Sequence, residues 1–362
     1  MEFNNKTAMV GTPCQILAAT KINSYSEETG GSPIDIKIGL FCMENFSYTY
    51  LKMFLDEKKI DLKDVKEFRI ENNMFKIFLT NGKEKDYTIA ETDSFKRRNC
   101  EICVDFTSDL SDISVGSVGS PKGFSTLIIR TSKGKKIVEG AISENYISSE
   151  PITEKGKKLL EKIASKKKKE NLNYITSREN ISHPVLYERK VTDDIINELA
   201  IQSQFENLDK DVISEGACVL CGACEFVCPS DIIQINERKP VRKGNCPEDC
   251  HACYFACPRT FLSENIRSHD LNSKPLGDYL EILTAKSKNV TGQDGGVVTS
   301  ILLYLLNKGL VDEVFVVGEE KKNPWKPIAR LTNDTEEVLN AAGTKYSTVP
   351  VAFKALKSKN SS

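Results

Sequence analysis

The chain has 362 residues, of which 40% are hydrophobic and 28% charged, with a formal net charge of −1. At about 100–200 residues per domain, this predicts two or three soluble domains with real apolar cores. No overall basic field is present to draw nucleic acid or an acidic membrane. The longest apolar runs, such as Ile301–Leu306, fall far short of the ~20 residues of a membrane span. The opening Met1-Glu2-Phe3-Asn4-Asn5-Lys6 lacks the basic-then-apolar pattern of a signal peptide, so a cytoplasmic location is expected.

Residues 1–150 read as mixed α/β. Thr7–Val10 is a buried-strand candidate ending at Gly11-Thr12-Pro13, Ile38–Phe41 is a second, and Met74–Leu79 alternates as a third. Asp112–Val118 and Thr126–Arg130 read as strands around the turn Gly119-Ser120-Pro121-Lys122-Gly123. Residues 151–210 begin with a Lys-rich helix over 153–172, whose apolar face is marked by Leu159, Leu160 and Ile163. Its run Lys166–Lys169 reads as a solvated face, with a docking patch for an acidic partner as the alternative. Residues 173–210 read as a polar linker leading to a short helix around Asp193–Phe205. A cysteine module fills 211–262. The α/β pattern returns over 278–357, with a strand at Tyr279–Ala285, a helix at Gly296–Lys308, a buried strand at Asp312–Gly318 and a terminal helix at Pro350–Lys357.

Twelve cysteines demand a role. In a reducing compartment that role is metal ligation or redox chemistry rather than disulfides. Eight lie between 218 and 257. The first block, Cys218, Cys221, Cys224 and Cys228 followed by Pro229, is the bacterial-ferredoxin run C-x₂-C-x₂-C-x₃-C-P. The second, Cys246, Cys250, Cys253 and Cys257 followed by Pro258, has one extra residue in its first gap. Three close thiolates wrap one [4Fe–4S] cubane, and Gly222, Ala223 and Ala252 let the backbone hug the sulfides. The fourth cysteine, next to proline, reaches the other cluster. Cys218, Cys221, Cys224 and Cys257 are therefore assigned to one cluster, and Cys228, Cys246, Cys250 and Cys253 to the other. Zinc also takes Cys₄ sites with C-x₂-C spacing, but zinc knuckles rarely interleave eight cysteines with a proline after each fourth.

Cys14, Cys42, Cys100 and Cys103 are more ambiguous. A C-x-x-C pair such as Cys100–Cys103 serves thiol redox, zinc and iron–sulfur sites alike. Cys14 and Cys42 follow strand candidates, where α/β folds gather ligands, yet they could equally be buried core cysteines.

Several motifs resemble the beta subunit family of coenzyme F420 hydrogenase and dehydrogenase. They are Gly11-Thr12-Pro13-Cys14-Gln15, Phe41-Cys42-Met43-Glu44-Asn45-Phe46, Cys100-Glu101-Ile102-Cys103-Val104-Asp105-Phe106 and Asp112-Ile113-Ser114-Val115-Gly116-Ser117-Val118-Gly119-Ser120. The resemblance continues in Gly292-Gln293-Asp294-Gly295-Gly296-Val297-Val298-Thr299, Pro324-Trp325-Lys326-Pro327 and Ala341-Ala342-Gly343-Thr344-Lys345-Tyr346. It implies an α/β FAD-binding domain built from both ends of the chain, plus a small α+β ferredoxin-like domain with two [4Fe–4S] clusters. It also implies that Cys14, Cys42, Cys100 and Cys103 hold a third, proximal cluster. Gly295, Gly296 and Thr299 would meet the FAD pyrophosphate at a helix start. Thr344, Lys345, Tyr346, Ser117, Gly119 and Ser120 would line the same pocket. Lys122 and Lys345 are candidates for the acidic tail of F420 or the FAD phosphates, though lone lysines are more often plain surface residues.

In one respect the chain departs from the family. The segment 278–357 resembles the family's N-terminal part and 1–150 its C-terminal part, so their order is reversed. A circular permutation at an exposed helix–strand connection leaves both pieces intact. A fragment of a rearranged gene and halves paired between chains are the alternatives.

The expected activity is hydride exchange between F420 and the flavin N5, with single electrons passed through the clusters to a hydrogenase, formate dehydrogenase or similar redox subunit. No catalytic side chain is assigned: His183, His251 and His269 read as structural or solvated. The alternatives are a same-family flavin and iron–sulfur reductase with another substrate, and a non-enzymatic ferredoxin-like carrier on a rearranged scaffold.

Overall fold

The computed structural model describes residues 5–27, 33–71, 74–201, 203–236, 239–267, 274–292 and 294–357. His269 and Gln293 lie outside the described residues.

Thirteen strands form three sheets. In chain order they are β1 (Thr7–Gly11), β2 (Ile36–Leu40), β3 (Val65–Glu71), β4 (Met74–Leu79), β5 (Glu84–Thr88), β6 (Ile113–Gly116) and β7 (Ser125–Ile129). Then come β8 (Ile147–Pro151), β9 (Ile233–Asn236), β10 (Lys239–Arg242), β11 (Glu281–Ser287), β12 (Glu313–Glu320) and β13 (Asn323–Thr332). The main sheet has eight strands in the order β13-β12-β1-β2-β6-β7-β11-β8. Strands from both ends of the chain therefore alternate in one sheet. β1 pairs in parallel with β12 on one side, Ala8 opposite Val314, and with β2 on the other, Val10 opposite Ile38. β11 lies antiparallel between β7 and β8.

The parallel centre is buried on both faces, which is why β1 and β12 read as apolar runs rather than alternating ones. Ala8, Ile38, Ile113, Leu127 and Val314 face a layer made by the helices Ser132–Ser143 and Val297–Asn307. Met9 and Phe315, one residue further along their strands, face the opposite layer with Ile22 of the helix Pro13–Glu27 and Phe353 near the C-terminus. β13 was not anticipated because Pro324 and Pro327 break the strand pattern. It lies at the sheet edge, where a residue without an N–H is tolerated.

The lysine-rich segment differs most from expectation. Its helix runs for 27 residues, Glu154–Asn180, and the expected linker over 173–210 is packed structure. Ile175, Val185, Leu186, Tyr187, Ile196, Phe205 and Leu208 share a core with Cys224, Cys228, Cys253 and Phe261. The cysteine module is thus fused to the rest of the protein by this segment. Leu159 is exposed, while Lys167 and Lys168 are buried, so Lys166–Lys169 is not a uniformly solvated face. The expected terminal helix Pro350–Lys357 is only a short 3₁₀ turn, Phe353–Leu356. Two residues before it, the Val351 N–H donates to the Cys221 carbonyl at 3.0 Å. Among the described residues no helix is long and apolar enough to cross a membrane.

Candidate metal centre

The parallel strands β12, β1, β2 and β6 all run the same way, and β11 shares their direction. Their carboxyl ends therefore open on one edge of the sheet, where open α/β folds place ligands. Cys14 follows β1 in the first turn of the helix Pro13–Glu27, and Cys42 follows β2. Cys42 is fixed by its N–H to the Phe106 carbonyl at 2.9 Å, which draws it beside the turn carrying Cys100 and Cys103. Thr12 Oγ1 lies 3.3 Å from Cys14 Sγ.

The four thiols respond to one another. Burial pushes Cys42 well up, Lys167 opposes it, and Cys100, Cys14 and Cys103 push it further. Burial raises Cys100 to about 12, with Cys103 and Cys14 adding to the rise. Cys14 is raised by burial and then by Cys103. Thiols that raise each other in this way share a small volume, and bound metal is what relieves the repulsion by taking them as thiolates.

Of the eight cysteines of the module, Cys218, Cys221, Cys224 and Cys257 line one pocket, with Leu208, Val219, Pro240 and Pro258 among its apolar walls. The backbone wraps this space tightly. Leu220 has φ +59° and Gly222 φ +88°, and a Cβ on Gly222 would stand 3.0 Å from the Val351 carbonyl oxygen. The N–H groups of Leu220 and Arg259 each donate to a sulfur two residues back, Cys218 and Cys257, at 3.4 Å. Cys253 is raised to about 12 by burial first, then by Cys246, Cys250, Cys257 and Cys228. Cys14 lies within electrostatic range of Cys221, and Cys253 within that of Cys224. Among the described residues no three His, Cys, Asp or Glu side chains close tightly enough to hold a single ion.

The residues expected near a flavin lie along the same edge. Gly296, with φ +68°, caps the helix Val297–Asn307 and leaves its first N–H groups without a side-chain acceptor. Gly295 has φ +76°, and a Cβ there would stand 2.9 Å from Ser125, so strand packing alone already requires a glycine. Ser125 Oγ donates to the Asp294 carbonyl, tying this loop to the β6–β7 hairpin. Thr299 is buried in the first turn of the helix. In the hairpin, Ser117 and Lys122 are exposed, and Ser120 Oγ sits between Thr126 Oγ1 at 2.7 Å and Thr284 Oγ1 at 2.9 Å. Gly119 packs on the helix start, where a Cβ on Gly156 would stand 2.0 Å from its carbonyl oxygen. Thr344 is exposed, Lys345 Nζ lies 3.4 Å from Glu319, and the Tyr346 ring packs edge-on against Phe75. Tyr346 is raised to about 12, by burial first, with Asp294 among its charged neighbours. The 294–296 loop is thus fixed against the hairpin. His183 Nδ1 sits 2.8 Å from Glu215, and His251 Nδ1 3.2 Å from the Asp249 carbonyl. Both are away from this edge.

Two cations at the thiols were missed. Lys167 Nζ donates to the carbonyls of Cys42 at 2.6 Å and Asp105 at 2.8 Å, and lies 3.7 Å from Cys103 Sγ. One turn on, Asn171 Nδ2 donates to the carbonyls of Cys100 and Cys103 at 2.8 and 2.7 Å. The signal was present in the sequence: Leu160, Ala164, Lys167, Asn171, Ile175 and Arg178 recur at three- and four-residue steps, the spacing of one inward helix face. The second cation, Arg259, directly follows Cys257-Pro258 and is 3% exposed.

Known proteins share these features. Residues 4–169 match the sequence model for the C terminus of the coenzyme F420 hydrogenase/dehydrogenase beta subunit, and residues 282–357 match that for its N-term. Residues 211–234 match a 4Fe-4S binding domain. The C-terminal match thus precedes the N-terminal one, the reversed order expected of a permuted chain. A coenzyme F420 hydrogenase subunit beta from Methanococcus voltae is 35% identical over 185 residues, 50% of this chain and 66% of that protein. A coenzyme F420-dependent sulfite reductase from Methanocaldococcus jannaschii is 32% identical over 186 residues, 47% of this chain and 30% of that one. A chain of the F420-reducing [NiFe] hydrogenase complex from Methanosarcina barkeri aligns with TM-score 0.47 and 33% identity, over 49% of this chain and 62% of that chain. The chain therefore spans somewhat under two thirds of its hydrogenase relatives, and less of the reductase.

Proposed function

Because the chain belongs to the coenzyme F420 hydrogenase/dehydrogenase beta subunit family, we propose that it exchanges a hydride between F420 and bound FAD and passes electrons singly through [4Fe–4S] clusters to a partner redox subunit. The partner would be a hydrogenase, a formate dehydrogenase or a similar enzyme. One observation carries this reading. Cys14 and Cys42 follow parallel strands on the same sheet edge as the helix N-terminus at Gly296, Cys42 being drawn beside the turn of Cys100 and Cys103. Flavin supplies the conversion of electron pairs to single electrons, and the clusters supply one-electron conduction.

The protein's own part is to bind and orient. Cys14, Cys42, Cys100 and Cys103 would hold the first cluster, Cys218, Cys221, Cys224 and Cys257 the second, and Cys228, Cys246, Cys250 and Cys253 the third. Lys167 and Arg259 offset their negative charge. The apolar walls around Cys218–Cys224 keep water from the second cluster. The N–H groups at Val297–Thr299, with Gly295 and Gly296, offer a phosphate cradle. Thr344, Lys345, Tyr346, Ser117, Gly119 and Ser120 are proposed as the cradle's rim.

Anaerobic purification with iron reconstitution tests the reading. About twelve iron atoms and one FAD per chain are expected, with bleaching of the flavin band by reduced F420 and not by nicotinamide donors. About eight iron atoms and no flavin would replace it with a simple electron carrier. The likeness to an F420-dependent sulfite reductase favours a second reading, in which the same apparatus serves a sulfur-compound reduction.

A further inference from the structure

Arg259 is a buried cation with too few partners. Its side chain is almost wholly enclosed, and its Nε and one terminal nitrogen have no acceptor in the protein. Its guanidinium carbon lies 4.3 Å over the centre of the Tyr187 ring. The Tyr187 hydroxyl in turn donates to the carbonyl of Ile102, between Cys100 and Cys103. Burying unsatisfied donors on a charged group is costly unless an anion meets them.

The surroundings identify that anion. The Arg259 backbone N–H donates to Cys257 Sγ at 3.4 Å, and the Tyr187 ring beneath its guanidinium is tied to the carbonyl between Cys100 and Cys103. Arg97 also reaches this region, with two of its nitrogens engaged: Nε donates to Asn99 Oδ1 at 2.8 Å, and a terminal nitrogen donates to the Cys218 carbonyl at 2.9 Å. Arg259, by contrast, keeps two buried nitrogens without an acceptor.

We propose that Arg259 is the shared positioning cation between the first and second clusters, donating its free N–H groups to cluster or cysteine sulfur and raising the reduction potential of both. This rests on the three-cluster reading above. A fixed positive charge and N–H···S bonds both favour the reduced, more negative state of a cluster. A cation common to two neighbours also keeps their potentials close, so that an electron passes between them without a large step. In this arrangement Arg259 does not bridge the cluster of Cys228, Cys246, Cys250 and Cys253, whose potential should shift least.

The test is an EPR-monitored redox titration of the reconstituted full chain, wild type against Arg259→Met and Arg259→Lys, with iron counted in each. Arg259→Met should make reduction of the first two clusters about tenfold less favourable, about 59 mV for a one-electron couple, and leave the third in place. Arg259→Lys keeps the charge but loses the fork, so it should shift the same two clusters by less. Unchanged potentials, or an equal shift in all three clusters, would overturn the proposal. If Arg259→Met fails to load iron, Arg259→Lys decides by the same criterion. A wild-type count of about eight iron atoms would remove the first cluster, and the proposal with it, independently of the potentials.

Discussion

Lys167 Nζ stands 3.7 Å from Cys103 Sγ while donating to the carbonyl oxygens of Cys42 and Asp105. A helix more than fifty residues downstream thus closes the thiol group formed by the two strand-end cysteines and the C-x-x-C turn. Its charge offsets that of the thiols, and its N–H donors join the two loops that carry them. Lys167→Met should therefore lose the first cluster selectively. Iron should fall by about a third of the loaded value, with the ferredoxin-type EPR signals retained. Full iron content in this variant would contradict the role.

The interleaved ligation proposed for the module makes opposite predictions for two cysteines of one block. Cys257→Ser should disturb the cluster shared with Cys218, Cys221 and Cys224, which line a common cavity with it. Cys253→Ser should disturb the other. Separate replacement of each, followed by EPR of the reduced protein, distinguishes this from a block-by-block arrangement, in which both would abolish the same signal.

Arg130 provides a test of the fold itself. Directly after β7 it donates through Nε to Ser114 Oγ at 2.6 Å, and through one terminal nitrogen to the carbonyls of Leu276 and Asp278, each at 2.9 Å. The other terminal nitrogen reaches Asp109 at 3.3 Å, with both side chains almost wholly buried. It binds the entry of β11 to strands made from the other end of the chain. Arg130→Met leaves Asp109 and several carbonyls without their donor, and such losses cost about 3–5 kcal/mol. A lowered urea midpoint should record it.

Where the long helix meets the β6–β7 hairpin, a Cβ on Gly156 would stand 2.0 Å from the Gly119 backbone oxygen. Neither side can yield as a flexible side chain would. Gly156→Ala should destabilise the protein by about 1–3 kcal/mol and push the hairpin loop from its place. In the proposed enzyme this also weakens flavin retention, measured as FAD released on gel filtration.

The sequence made the strands β1, β2, β4, β6, β7, β11 and β12 legible because apolar runs bounded by glycine or proline carry their own punctuation. It also marked both cysteine blocks, since ligand spacing is local. The packed segment after the lysine helix was not legible. Leu186, Tyr187, Phe205 and Leu208 are separated by charged residues, and only their burial against the cysteines shows that they are core. Lys167 and Arg259 were missed for a related reason. A buried cation looks like a surface one until its anionic neighbours, distant in sequence, are brought beside it. The flavin-edge glycines illustrate a converse limit: Gly295 is required by the proximity of Ser125, so its presence does not by itself announce a ligand.

Placing β1 between β2 and β12 has a consequence for biosynthesis. Thr7 and its partner Glu313 leave the ribosome far apart in time, about 15–60 s at roughly 5–20 residues per second. Until then one side of β1 is an open edge, able to pair with a neighbouring nascent chain or to await its own. Cys14, which depends on that strand for its position, cannot be set in place before β12 emerges. Loading of the proposed first cluster would thereby wait for a strand made about three hundred residues later.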